Sequence, residues 1–315
     1  MQNEVRVTVV CITYNHEKYI DKCLRGIVMQ KTDFPFEAIV YDDASPDGTA
    51  DIIKKYENEY PEIIKPFYQK DNTFKRHYNK YHDIYALAKG DYLAICEGDD
   101  FWTDPYKLQK QFDFMEAHPD YSLCGTSAYL AREDDTFMPE MFSVEGGSRE
   151  IPTGEVIDDW CMATASLFYR KDKRVVDIPY MGNCSNGDYA TAVYLALNGR
   201  VYYIDEPTCA YRIMSIGSFS YRSRSDPEFY RKVRTAYLEM LERIDEFSEY
   251  KYTDIIKNKI DHDYFEMCRA LGDYKGAKKA EKRFKELSLF EKSKLYVKYK
   301  FPKAIRFVRK ARGQI

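Results

Sequence analysis

The stretch Cys96-Glu97-Gly98-Asp99-Asp100-Phe101-Trp102 sets three carboxylates within four positions, directly behind the apolar run Tyr92-Leu93-Ala94-Ile95-Cys96. Like charges this close repel and are costly to desolvate, so they require a cation, a hydrogen-bond cage or open water. Two more polar pairs follow apolar runs: Tyr14-Asn15 behind "VRVTVVCI" (5–12) and Asp42-Asp43 behind "FEAIVY" (36–41). A further acid, Asp188, opens the segment "GDYATAVYLALNG" (187–199). Carboxylates of this kind can hold a hard divalent cation, or accept a proton from an attacking hydroxyl.

The elements that must position these groups alternate in type. Strands are predicted at 5–12, 36–41, 63–68 and 92–96, and helices at 17–30, near 49–59 and in a segment ending at Gly90. Asn15 reads as the cap of the first helix. Such alternation implies a doubly wound, mostly parallel sheet covered on both faces, with ligands beyond the carboxyl ends of its strands. The second half is mixed, with strand-like runs at 121–130, 163–169 and 200–204, and a helix over 187–199 that carries Asp188 in its first turn. Beyond residue 226 the pattern is helical: Tyr230, Val233, Tyr237, Leu238, Leu241 and Ile244 mark one amphipathic helix, and "MCRALGDYKGAKKAEKRF" reads as a helical hairpin.

A hydrophobic share of 44% over 315 residues excludes a disordered chain, and 49 aromatic side chains could stack on flat or sugar-like ligands. The net charge of −3 leaves no footprint for nucleic acid. Charge is uneven, however. From Lys292 to Arg312 there are nine Lys or Arg and no acid, interleaved with Leu295, Tyr296, Val297, Tyr299, Phe301, Ile305, Phe307 and Val308, so residues 292–315 are expected to seek an anionic membrane surface. Eight cysteines without a C-x-x-C pair read as reduced, buried thiols. With no leader and no run of about 20 apolar residues, the expected location is cytoplasmic, peripheral on the inner face of the membrane. No Ser-His-Asp order, Walker loop, zinc spacing or dinucleotide fingerprint stands out.

In order and spacing, "CITYN", "VYDDASPDGT" and "LAKGDYLAICEGDD" resemble the glycosyltransferase family 2 enzymes, inverting sugar transferases of the GT-A fold. The likeness runs from about residue 5 to about residue 220. It implies a GT-A domain over 1–225, with a Rossmann-like nucleotide-sugar half (1–105) and a mixed acceptor half (106–225), followed by a helical C-terminal extension (226–315). Position by position, the resemblance gives Tyr14 to the nucleotide base, Asp43 to the base edge with Asp42 beside it, and Arg76 to base or phosphates. Asp99 would face the ribose and Asp100 the metal, with Glu97 and Asp99 as further candidate metal contacts. Asp188 would be the catalytic base.

The chemistry wants these types. A nucleoside diphosphate leaving group carries charge that Mn2+ or Mg2+ neutralises, held by one or two carboxylates, phosphate oxygens and water. The implied enzyme is a metal-dependent glycosyltransferase taking a nucleotide sugar, a UDP-sugar above others, to a saccharide or lipid-linked acceptor of a surface polysaccharide. Four positions depart from the family pattern: Glu97 for Asp, Gly187 for the acid that commonly precedes the base, Met214 for a His, and Ile12 for a hydroxyl. They sustain two other readings, a non-catalytic saccharide- or nucleotide-sugar-binding protein of the same fold and a nucleotidyltransferase. Trp102 and Trp160 are candidates for the acceptor pocket or for the core.

Overall fold

The computed structural model describes residues 4–73, 79–159, 162–213 and 219–301; Arg76, Trp160, Cys161, Met214 and the tail beyond residue 301 lie outside the described residues. The chain divides into two compact units, Met1–Ile178 with Asp188–Ser215, and Pro179–Gly187 with Ile216–Ile315.

In the first unit, β1 (Val7–Thr13), α1 (Ile20–Val28), β2 (Phe36–Asp42), α2 (Thr49–Glu59), β3 (Ile64–Tyr68), α3 (Tyr81–Leu87) and β4 (Tyr92–Ile95) alternate as the apolar periodicity demands. Their strands pair wholly in parallel in the order β3-β2-β1-β4. Val7, Val9, Val10, Cys11, Ala38, Val40, Leu93 and Ala94 are all inaccessible to solvent, as expected of strands buried on both faces. The mixed half follows: β5 (Phe101–Trp102), α4 (Lys107–Ala117), β6 (Tyr121–Ala131), β7 (Phe137–Phe142), β8 (Arg149–Ile151), α5 (Thr153–Asp158), β9 (Phe168–Arg170), α6 (Gly187–Leu197) and β10 (Arg200–Arg212). Here β9 is antiparallel to both β4 and β6, while β6 and β10 run parallel. The strand expected at 163–169 is shorter than its apolar run, because residues 164–166 form a 3-10 turn.

Register places the polar clusters. Thr13 pairs with Asp42 and Val10 with Ile95, so the parallel strands release Tyr14, Asp43 and the acidic stretch at one edge. The chain continues along β1 past β4, with Cys96 N–H on Val10 O (3.0 Å) and Gly98 N–H on Ile12 O (2.9 Å). Asn15 does not cap α1, whose cap position is Tyr19. Its φ of 58° places it in the left-handed region, and its N–H donates to Ser45 Oγ at 2.9 Å, so it serves the turn between two strand ends.

One buried polar pin lies within the mixed half of the sheet. Lys107 of α4, fully buried, donates to Gln111 Oε1 at 2.6 Å and lies 4.5 Å from the Trp102 ring centre. Gln111 in turn donates to the carbonyls of Cys124 and Ser166, each at 2.9 Å. Trp102 is 2% exposed and donates to Ala165 O at 2.9 Å, so it belongs to the core and not to an acceptor pocket. The seven described cysteines are buried and form no disulfide; the Sγ atoms of Cys11 and Cys96 each lie 3.7 Å from that of Cys23.

The second unit is helical: α7 (Phe219–Ser225), α8 (Pro227–Phe247), α9 (Thr253–Leu271), α10 (Tyr274–Lys279), α11 (Glu281–Glu286) and α12 (Leu289–Lys300). Asp226 caps α8 by accepting from Glu228 and Phe229 N–H, both at 3.0 Å, with Pro227 at the first helical position. The expected hairpin turns at Gly272 (φ 71°), and its second arm breaks into α10 and α11 at Ala280. Phe265, Cys268, Ala277, Ala280 and Leu295 form its small core. Among the described residues no helix is long and apolar enough to cross a membrane.

Burial lowers the Lys107 pKa to about 8. The folded value lies below the unfolded one, so the lysine's contribution is fully present above the unfolded pKa and is lost as pH falls through about 8. Relative to Lys107→Met, the parent should therefore gain stability as pH rises from neutral to about 10. Urea midpoints of both proteins across that range test this, and parallel curves would contradict it.

Candidate active site

Asp100 closes a tight turn, its N–H donating to Glu97 O at 2.9 Å. Gly98 is demanded inside that turn: a Cβ there would lie 2.5 Å from Thr13 Oγ1 and 2.9 Å from His16 Nδ1. Any side chain between the acids would push the turn off the end of β1.

The three carboxylates differ in environment. Asp100 is 2% exposed; its Oδ1 accepts from Arg212 N–H at 2.7 Å, while its Oδ2 is buried with no hydrogen-bond partner among the described residues. Burial, then Asp99, hold its pKa well above the ordinary carboxylate range, opposed by the Arg212 N–H. Glu97 is half-buried and pushed up to about 8, first by desolvation and then by Asp99 and Asp188, with Lys80 acting the other way. Asp99 is also half-buried, and its backbone carbonyl accepts from Arg212 Nε at 2.8 Å.

Asp188 lies in the first turn of α6, and the sheet's mixed half carries it to this cluster from 91 positions downstream of Glu97. Its Oδ2 accepts from Thr164 Oγ1 at 2.9 Å and its Oδ1 from Tyr189 N–H at 2.9 Å. Desolvation outweighs both bonds and raises its pKa above the usual aspartate value. The half-buried Tyr211 phenol is a common neighbour: burial, then Asp100, Glu97, Asp188 and Asp99, all push its pKa up.

At the end of β2 the two aspartates part ways. Asp42, 3% exposed, accepts from Ser45 N–H (3.2 Å) and Ser45 Oγ, and so braces the turn that follows. Asp43, 2% exposed, has Oδ1 caged by Thr73 N–H (2.6 Å) and Thr73 Oγ1 (2.7 Å), with Asn72 Nδ2 at 3.3 Å from Oδ2. Tyr14, just past β1, is 41% exposed and leaves a flat ring available for stacking. Arg76 lies outside the described residues, but a different cation reaches this edge. Lys80, at the start of α3, is half-buried; burial lowers its pKa while Asp43 and Glu97 raise it.

Lys80, Thr164, Tyr211 and Arg212 escaped the sequence reading. The one signal in the chain was "AYR" (210–212), which lies beyond the strand expected at 200–204; nothing local marks Thr164 or Lys80. Arg212, 2% exposed, holds the acid turn from behind. Besides Asp99 O, its guanidinium donates to Arg132 O at 2.9 Å and to the Asp135 carboxylate, and stacks 4.7 Å from the Tyr19 ring centre.

Known proteins resemble this chain, whose strand-end edge carries Tyr14 after the first strand and acids after the second and fourth. The family described as Glycosyl transferase family 2 matches residues 8–174, more than half of the chain. The chain belongs to glycosyl transferase family 2. Among its curated relatives is the uncharacterized protein Rv1520 of Mycobacterium tuberculosis, 35% identical over 206 residues, which are 65% of this chain and 58% of that protein. The chain thus matches less than two thirds of that relative's length. Among solved structures, S. aureus TarS in complex with UDP-GlcNAc has a TM-score of 0.56 at 18% identity, covering 94% of this chain and 92% of that one. The mannosyltransferase PcManGT of Pyrobaculum calidifontis, in complex with GDP-Man and Mn2+, has a TM-score of 0.57 at 18% identity, covering 93% and 79%. These likenesses establish the GT-A fold for the family 2 domain.

Removing the Arg212 guanidinium leaves the Arg212–Asp100 backbone bond in place but frees the Asp99 carbonyl. Hydrogen bonds to charged groups contribute about 1.5–3 kcal/mol. Arg212→Ala should accordingly weaken UDP binding in the presence of Mn2+ by about tenfold or more, while uridine affinity moves little. Calorimetric titration of both ligands checks the split; equal losses would mean general unfolding of the edge.

Proposed function

We propose that this family 2 protein is an inverting, metal-dependent glycosyltransferase that moves a sugar from a UDP-sugar to a hydroxyl of a saccharide or lipid-linked saccharide, in the assembly of a surface polysaccharide. The observation that carries the reading is the division of labour among these acids: Asp100, whose buried Oδ2 has no hydrogen-bond partner among the described residues, and a separate desolvated carboxylate, Asp188, oriented by Thr164. UDP-GlcNAc in TarS and GDP-Man with Mn2+ in the mannosyltransferase support a nucleotide-sugar donor on this fold.

A divalent cation fits the residues present. A buried carboxylate oxygen with no donor among the described residues is the atom that such an ion would satisfy, and burial, then neighbouring acids, raise the pKa values of Asp100 and Glu97, a repulsion that a bound cation would offset. Among the described residues no group of three or more His, Cys, Asp or Glu forms a ready cage. That suits Mn2+ or Mg2+, which take one or two carboxylates and complete their shell with phosphate oxygens and water. Asp100 would hold the ion, with Glu97 and Asp99 as further contacts. When bound, it supplies neutralisation of the charge developing on the departing diphosphate.

The remaining steps belong to the chain. Tyr14 offers its ring to the base, and Asp43, fixed by Thr73 and Asn72, presents Oδ2 to the base edge. Asp188 accepts the proton of the acceptor hydroxyl as that oxygen attacks the anomeric carbon from the face opposite the diphosphate, so configuration inverts. Desolvation makes Asp188 a stronger base than a surface aspartate, and the Thr164 hydroxyl keeps its lone pair oriented.

Asp188→Asn keeps the helix start but cannot take a proton, so turnover should fall by roughly 100-fold or more with donor affinity nearly unchanged. The readout is sugar transfer with release of free UDP; pyrophosphate would indicate nucleotidyl transfer, and no turnover in the parent would leave only binding.

The pH profile gives a second check. Because burial raises the Asp188 pKa, the acid limb of turnover should lie above the ordinary aspartate range. Thr164→Val deletes a bond that stabilises the charged form, so its acid limb should move to still higher pH. An unmoved limb would remove Asp188 from the role of base.

A further inference from the structure

The start of α12 is fixed by a reciprocal cap: Ser288 Oγ accepts from Glu291 N–H at 3.2 Å, and the Glu291 carboxylate accepts from Ser288 N–H at 2.9 Å. From that start the helix sorts its apolar residues onto two sides. One side belongs to the unit's own core, through Leu295 (6% exposed) with Phe265 and Cys268, and through Tyr296 and Tyr299 with ring centres 5.3 and 6.3 Å from that of Tyr274. Lys298 ties the same side to α9 by donating to Arg269 O at 3.0 Å.

The other side has no cover among the described residues. Leu289 is 84% exposed, Phe290 75%, Val297 43% and Phe301 61%. Phe290, Lys294, Val297 and Phe301 follow a spacing of four, three and four, and so lie on one stripe of the helix. Beside it a cleft of about 700 Å3 is lined by Phe290, Arg269, Lys294 and Lys298 together with Glu266 and Glu291. Although the whole chain has a net charge of −3, residues 289–315 carry nine Lys or Arg against one acid, Glu291.

We infer that the exposed side of α12 docks the protein on an anionic phospholipid surface, with Leu289, Phe290, Val297 and Phe301 entering the acyl boundary and the lysines resting among the phosphates. The charge decides for lipid over protein. Protein interface cores are depleted in Lys, because burying an ammonium without a partner is costly. At a bilayer the same lysines keep their heads in the hydrated, negatively charged layer while their stems and the aromatic rings sink. The apolar contacts begin at Leu289 and Phe290, ahead of the basic segment that composition alone singled out.

Co-sedimentation of the full chain with phosphatidylcholine–phosphatidylglycerol vesicles tests this, against pure phosphatidylcholine. Binding is expected only to the anionic vesicles and should fall with added salt. Leu289→Glu combined with Phe290→Glu should lower partitioning by about tenfold or more, because two exposed apolar side chains no longer enter the membrane. Thermal midpoint and donor turnover should stay as in the parent, since both side chains are exposed and neither belongs to the small core of the helical unit or to the acid cluster. Those readouts separate this inference from the glycosyltransferase reading. Equal sedimentation of variant and parent would overturn it. So would an absence of vesicle binding together with a concentration-dependent dimer that the double variant abolishes, an outcome that would make the face a contact between copies.

Discussion

Four carboxylates kept close together, Asp100 buried and the other three half-buried, set the terms for the rest of the first unit. Glu97, Asp99, Asp100 and Asp188 each oppose the ionisation of a neighbour or are desolvated outright, and the protein supplies few counter-charges. Lys80 answers from the start of α3, and Arg212 with one backbone and one guanidinium hydrogen bond. The result is an edge that is electrostatically incomplete by itself. A ligand that brings positive charge, or a cation carried with a diphosphate, binds the folded state alone and stabilises it by mass action.

Holding such an edge in place requires rigidity close by, and the fold provides it with polar contacts in the core. Lys107 and Gln111 reach from α4 to the backbone of β6 and to Ser166, two residues beyond the Thr164 that orients Asp188. Trp102, two residues past the acid turn, bonds to Ala165 in the same short segment. The donor-side acids and the candidate base are thus braced through one helix and one turn. The cost is a lysine buried at reduced pKa, an arrangement that survives because Gln111 and the Trp102 ring satisfy the ammonium.

The helical unit solves the opposite problem. Its charge stays in solvent while apolar side chains are left uncovered on one side of α12, because the small core of Phe265, Cys268, Ala277, Ala280 and Leu295 occupies only the other. A short helix with one side spent on its own unit and the other apolar and bordered by lysines is suited to a surface that is itself apolar below and anionic above.

The sequence by itself determined the alternation of strands and helices, the parallel half, the family, and the gathering of Asp43, Asp99 and Asp100 at strand ends. Each of these rests on neighbours in the chain: two-residue and 3.6-residue periodicity, turn residues, and motif order. Adjacent letters could not separate Asp42 from Asp43, since both follow the same strand and only Ser45 and Thr73 decide which serves the turn. They assigned Asn15 to a helix cap, where its left-handed backbone instead ties β1 to the loop after β2. Tertiary structure alone brought Lys80, Tyr211 and Arg212 to the acids and set Thr164 against Asp188, and it alone divided α12 into a covered and an uncovered side. The reason is range: charge compensation and burial act across the sheet between residues as far as 113 positions apart, and no local pattern encodes which of them will meet.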